Sequence, residues 1–221
     1  MSLRQAFRFP MQAVIPIAGV MLLSLVCLAA KQFVMPAAHP AKSYPAHDEH
    51  PTEALTVAID PYDDAAKDNI FTIHYRDIGM APVFLIITND GDQPASLGEM
   101  KAQLVTADRT KLSPAVPEDI YRRLSRPSAS ATNRYPLPFP SKKVKGAVSK
   151  EAQQEIEDSR FAAKAVEPHS TQAGFLFFDV QGIATPLEGA RFYLTGVRDS
   201  KGEEVMYFEV PLEKYLNAPH P

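Results

Sequence analysis

The stretch Pro82-Val83-Phe84-Leu85-Ile86-Ile87-Thr88, closed by Asn89-Asp90-Gly91-Asp92, decides the fold class. Seven residues of mostly β-branched and aromatic type, apolar at both odd and even positions, describe a strand covered on both faces. Asp90-Gly91 supplies the positive-φ positions of a tight turn, so a hairpin is expected there, with Gln93 to Leu97 as its short return.

Working outward, Leu55, Val57 and Ile59 alternate with Thr56 and Ala58 and read as an earlier strand ending at Asp60-Pro61. Ile70, Ile73 and Tyr75 suggest another over 69–75, and 101–106 a further one. Near the other end, 173–180 carries Phe175, Leu176, Phe177 and Phe178 and is again apolar on both faces. Strands over 190–197 and 204–210 flank Asp199-Ser200-Lys201-Gly202, a second hairpin signal. About seven strands and two hairpin signals predict a mainly β domain, an antiparallel β-sandwich.

The middle interrupts this pattern. Pro117-Glu118-Asp119 opens a short helix, with proline at its first position, acids in its first turn and Ile120, Tyr121 and Leu124 on its buried side. Ser149 can cap a second helix running to about Ala165, whose thin stripe of Ala152, Ile156 and Ala163 suits the surface of a sheet. Between them Pro136-Leu137-Pro138-Phe139-Pro140 favours extended chain. A helical, basic insertion at about 113–166 within a domain spanning 54–221 follows.

Two runs, Val83 to Asp92 and Glu167 to Phe178, resemble the aliphatic strand ending in asparagine, and the strand entered through a polar turn, of exported immunoglobulin-like bacterial domains. The resemblance is to uncharacterised envelope proteins. It implies an immunoglobulin-like sandwich and carries over no functional residue.

Ahead of the domain, residues 9–30 form an uncharged apolar stretch with Arg4 and Arg8 before it and Lys31 after it. A helix of that length, at about 1.5 Å per residue, just crosses a hydrocarbon core of roughly 30 Å. The two arginines orient the N-terminus toward the cytoplasm. Residues 1–31 are thus expected to be a cytoplasmic stub and single-pass inner-membrane anchor, with the C-terminal domain periplasmic or otherwise extracytoplasmic. A cleaved signal is the alternative, with cleavage after Ala29, Ala30 or Ala38, although Leu28 suits the Ala30 site poorly and the stretch is longer than a usual signal core. Cys27, the only cysteine, is preceded by Val26, which does not fit a lipoprotein site. Residues 32–53, with Pro36, Pro40, Pro45 and Pro51, read as a tether without a fold of its own that holds the domain away from the bilayer.

Charge supplies the main candidate site. From Arg122 to Lys150 there are eight basic residues and no acidic one, while the 221-residue chain as a whole stands at −3. Arg122, Arg123, Arg126, Arg134, Lys142, Lys143 and Lys145, with Tyr135 and Phe139 interleaved, could hold an anionic surface or another envelope protein. The competing reading is a loop folded over the acidic body of its own domain. Nucleic acid is not expected, since the strip lies outside the cytoplasm.

A weaker alternative is metal handling. His47 and His50 are three apart in the tether with Asp48 between them, a possible Zn²⁺ or Cu²⁺ set, though a proline-rich tether supplies no rigid support. Asp60, Asp63, Asp64 and Asp68 could form an oxygen-rich Ca²⁺ loop, but the spacing lacks the EF-hand glycine, and such aspartates more often build turns. No nucleophile elbow, phosphate loop, metal-histidine helix or CxxC occurs, and His74 and His169 stand alone. No cofactor is implied. The sequence reads as a non-catalytic binding, scaffold or accessory module, with metal handling and an enzyme of unrecognised type as alternatives.

Overall fold

A computed structural model of the chain describes residues 32–125 and 148–218. Strand β3 (Met80–Asn89), all ten of its residues buried, is the hub. It pairs antiparallel with β2 (Leu55–Pro61) along one edge and with β8 (Ser170–Asp179) along the other. A further strand, β1 (His47–His50), adds to the outer edge of β2. The sheet order is β1-β2-β3-β8. A second antiparallel sheet runs β10-β9-β5-β6, built from β5 (Lys101–Val105), β6 (Lys111–Leu112), β9 (Arg191–Thr195) and β10 (Phe208–Pro211). The short strands β4 (Ala95–Ser96) and β7 (Ala165–Val166) pair with each other.

Strand periodicity sorts the side chains of the first sheet into two cores. Val57, Ile59, Val83, Leu85 and Ile87 join Ala102, Leu104, Phe192, Leu194, Phe208 and Val210 of the second sheet in one apolar cluster. On the opposite face, Ala58, Phe84, Ile86, Phe175 and Phe177 pack with Phe71, Ile73, Tyr75, Ile120 and Ile156. Ile120 lies on helix α2 (Pro117–Ser125) and Ile156 on helix α3 (Lys150–Ser159), so the interruption in the β pattern forms a third layer over the first sheet. Both helices start where their sequence signals put them. Ser149 caps α3 through a bond from the Ala152 N–H. The result is a mainly antiparallel β domain with few helices.

Several local expectations are corrected. Residues 32–53 are not a free tether among the described residues. Ala41–Ser43 form a 3₁₀ turn, and His47–His50 register against Leu55 to Ala58. Phe33 and Met35 pack against the second core. Backbone pairing of His47–His50 and the packing of the partly buried Phe33 and Met35 outweigh the chain entropy that the segment loses. Residues 69–75 form no strand, because both edges of β3 are already taken. Asp64 instead caps the short helix α1 (Ala65–Asp68), and a 3₁₀ turn follows at Tyr75–Ile78.

For the same reason Asn89 to Gly91 is a turn without a hairpin. The Asn89 carboxamide oxygen accepts the Gly91 N–H at 2.9 Å, and the return strand β4 pairs with β7. The second turn does join paired strands. Asp199 Oδ1 accepts the N–H groups of Lys201 and Glu203 at 2.9 Å each, and β9 pairs with β10 beyond it.

Candidate functional site

Of the basic strip, Arg122, Arg123 and Lys150 fall among the described residues. Arg126, Arg134, Tyr135, Phe139, Lys142, Lys143 and Lys145 lie outside them, as does the apolar stretch 9–30. Arg122 and Arg123 are neighbours with different fates. Arg122 is exposed at the surface of α2 and pairs with Asp119 one helical turn back. Arg123 turns into the protein. Its guanidinium donates to the Ile78 carbonyl at 3.1 Å, to the Gln181 side-chain oxygen and to the Asp179 carboxylate. Arg123 is therefore removed from the set of solvent-facing binding residues and fixes α2 to the start of β3 and the end of β8.

Helix α3 has a clamp of opposite charge. Glu155 is 3% exposed. Its carboxylate accepts the main-chain N–H of Thr72 at 2.7 Å and of Ile73 at 3.1 Å, and the Thr72 hydroxyl. A buried carboxylate is sustained by such bonds where an unpaired one would not be. Beside it, burial and then the Glu155 charge push the Tyr75 phenol upward from its ordinary value. Thus α2 and α3, which flank the basic window, are each fixed by a charged side chain to the irregular segment between α1 and β3.

The metal set does not assemble. Residues 47 and 50 of a strand point to opposite faces, because side chains alternate. His47 Nδ1 donates to the Tyr44 carbonyl at 2.6 Å. His50 stacks on Phe208 with ring centroids 4.0 Å apart. Asp48 accepts the Glu209 N–H at 2.9 Å and stands 3.5 Å from His50 Nε2, which stitches β1 to β10 of the second sheet. Among the described residues no group of three or more His, Cys, Asp or Glu is arranged to hold a metal.

The aspartate loop is likewise engaged in folding. Asp64 accepts the N–H groups of Ala66 and Lys67, and Asp60 pairs with Lys67 Nζ at 2.5 Å. Asp63 accepts the Tyr215 hydroxyl at 3.1 Å. Of the two lone histidines, His169 is exposed and pairs with Asp92 at 3.0 Å.

Sequence reading missed a cleft of about 1250 Å³ at one end of the two sheets. Its walls include Tyr62, Asp63, Asp77, Gln181, Glu188 and Glu213. The residues come from separate segments that only the fold brings together. The one local hint was the glycine content of its turns: Gly79, Gly182 and Gly189 all hold positive φ. Arg123 borders this cleft through Ile78 and Gln181.

No protein-family model and no curated protein matches the chain. The solved structures similar to it include two uncharacterised proteins. Northeast Structural Genomics Consortium target SoR45 has a TM-score of 0.30 and 13% identity, covering 76% of this chain and 94% of its own. A conserved hypothetical protein from Bacillus anthracis has a TM-score of 0.29 and 11% identity, covering 72% and 87%. At these scores neither defines the fold or the activity of this chain.

Proposed function

We propose that this protein is a non-catalytic, single-pass envelope protein of the inner membrane, whose periplasmic domain binds an anionic or protein partner through its basic window. The observation that carries this reading is the pair of clamps. Arg123 fixes α2 and Glu155 fixes α3 to neighbouring parts of one segment, so the basic window begins and ends on a rigid platform. A binding segment mounted on fixed ends loses less conformational entropy on engagement than a free chain. Arg122, exposed on α2, and Lys150, exposed at the start of α3, stand at the two ends of that window. Arg126, Arg134, Tyr135, Phe139, Lys142, Lys143 and Lys145 belong to the proposal by sequence alone.

The proposed fold is an immunoglobulin-like β-sandwich. In that architecture the first, second and fifth strands share one sheet, and the third, sixth and seventh the other. The adjacency of β2, β3 and β8 in one sheet, and of β5, β9 and β10 in the other, supports it.

The test is crosslinking in intact cells with the full chain, comparing the native sequence with the triple reversal of Lys142, Lys143 and Lys145 to glutamate. Loss of a salt-sensitive association at an unchanged thermal midpoint is the expected result. If the reversal unfolds the domain, the lysines pair with its own acidic face and the window is structural.

A further inference from the structure

The cleft at one end of the sheets, about 1250 Å³, is larger than the roughly 300–1,000 Å³ of a small-molecule pocket. Four acidic residues and one basic residue stand in its walls: Asp63, Asp77, Glu188 and Glu213 against Arg76. The acids come from four separate parts of the chain. These are the residues after β2, the 3₁₀ turn Tyr75–Ile78, the loop between β8 and β9, and a last short helix, Glu213–Leu216. Asp63 accepts the Tyr215 hydroxyl. Asp77, Glu188 and Glu213 are exposed and make no ion pair among the described residues. Like charges gathered without a partner cation repel one another, and a cationic ligand relieves that repulsion.

Two further features define the kind of cation. Ile78, Ile183, Pro186 and Leu216 give the walls an apolar part. In the loop between β8 and β9, the main-chain N–H groups of Ala184, Thr185 and Glu188 have no hydrogen-bond partner among the described residues. Gly182 in the same loop, at φ 80°, has nothing within 4 Å of where a Cβ would stand, so the main chain there is open to approach. An inorganic cation would use the carboxylates alone. An extended peptide uses all three features: basic side chains on the carboxylates, apolar side chains on the walls, and carbonyl groups on the free N–H donors. We propose that the cleft takes a basic, partly apolar peptide segment of a partner protein, with its lysine or arginine side chains against Asp77, Glu188 and Glu213 and its main chain along the 184–188 loop. This is a second binding site, opposite in sign to the basic window and independent both of that window and of the anchor.

The test applies the full chain, in a neutral detergent, to an array of immobilised nonapeptides of constant apolar content and graded lysine and arginine content. The best-retained peptide is then labelled and titrated by fluorescence anisotropy. Retention should rise with basic content. The triple variant Asp77→Asn, Glu188→Gln, Glu213→Gln should weaken the labelled peptide about tenfold or more. The triple Glu53→Gln, Glu118→Gln, Glu203→Gln removes equal charge at exposed positions outside the cleft and should change binding less than about twofold. Equal weakening by both triples overturns the site, since the peptide then responds only to the acidic body. Retention that is absent, or that ignores basic content, also overturns it. Displacement of the labelled peptide by spermidine at the concentration at which unlabelled peptide displaces it overturns the peptide assignment. If the cleft triple lowers the thermal midpoint, Glu188→Gln alone decides: a weakening of about twofold or more supports the site, and no change overturns it.

Discussion

Glu155 and Thr72, 83 residues apart, meet through a carboxylate that accepts the Thr72 main-chain N–H at 2.7 Å. The same carboxylate takes the Ile73 N–H, so two donors of a strandless segment are satisfied from a helix. Removing it strands both. Glu155→Ala should cost about 3 kcal/mol, read as a lower urea midpoint. Glu155→Gln keeps an acceptor oxygen and should cost less than half as much. Equal losses for the two would mean that packing, not the bonds, holds α3.

The adjacent arginines of α2 should separate cleanly. Arg123→Ala loses bonds to Ile78, Gln181 and Asp179, with Asp179 half exposed, and should cost about 1–2 kcal/mol. Arg122→Ala, with its exposed pair to Asp119, should change stability by less than about 0.5 kcal/mol. Thermal midpoints of the two variants check this, and a reversed order would contradict the clamp.

Gly196 and Gly202 both hold positive φ, at 76° and 81°. A Cβ on Gly196 would stand 2.2 Å from the Glu99 carbonyl oxygen, whereas one on Gly202 meets nothing within 4 Å. Gly202→Ala should therefore cost only the left-handed backbone penalty, about 1–2 kcal/mol. Gly196→Ala adds a backbone collision and should cost about 2–4 kcal/mol in the same denaturation series.

Asp60 supplies a pH signature. Burial pushes its carboxyl upward, and the hydrogen bond from Lys67 opposes that. A raised acid contributes stability that is present below its unfolded value of about 3.9 and lost as pH rises through its folded value. Lys67→Met removes the opposition, so the folded value should move further up. The stability deficit of the variant should widen as pH rises from about 4 toward neutrality, and shrink below about 4. Urea midpoints between pH 3.5 and 7 report it. A deficit that does not change with pH would show that Lys67 acts through its contacts with the Tyr62 and Tyr215 rings, 5.4 and 4.7 Å away.

Local chemistry made several elements legible. Val83 to Ile87 marked a covered strand because both its faces are apolar, and the fold does cover both. Proline and acids at 117–119, and Ser149 before α3, marked helix starts, because orphan N–H groups are satisfied within one turn of chain. Residues 69–75 and 93–97 were misread for a common reason. Strand-like composition says nothing about whether a sheet edge is vacant, and β2 and β8 had filled both edges of β3. His47 and His50 looked like a pair because three residues is a short distance in sequence, but the pleat sends them to opposite faces.

The sequence by itself determined the apolar stretch at 9–30, the basic window, the lone cysteine and a mainly β composition with two helices between strands, since each depends on residue type and near neighbours. Tertiary structure alone decided that Arg123 is a clamp and Arg122 a surface charge, that Glu155 belongs to the backbone of residues 72 and 73, and that Phe33 ends the tether within three residues of Ala30. The contacts of Arg123, Glu155 and Phe33 each span 38 or more residues, Phe33 to Phe71 being the nearest in sequence, and contacts of that range exist only once strand pairing has excluded the other partners.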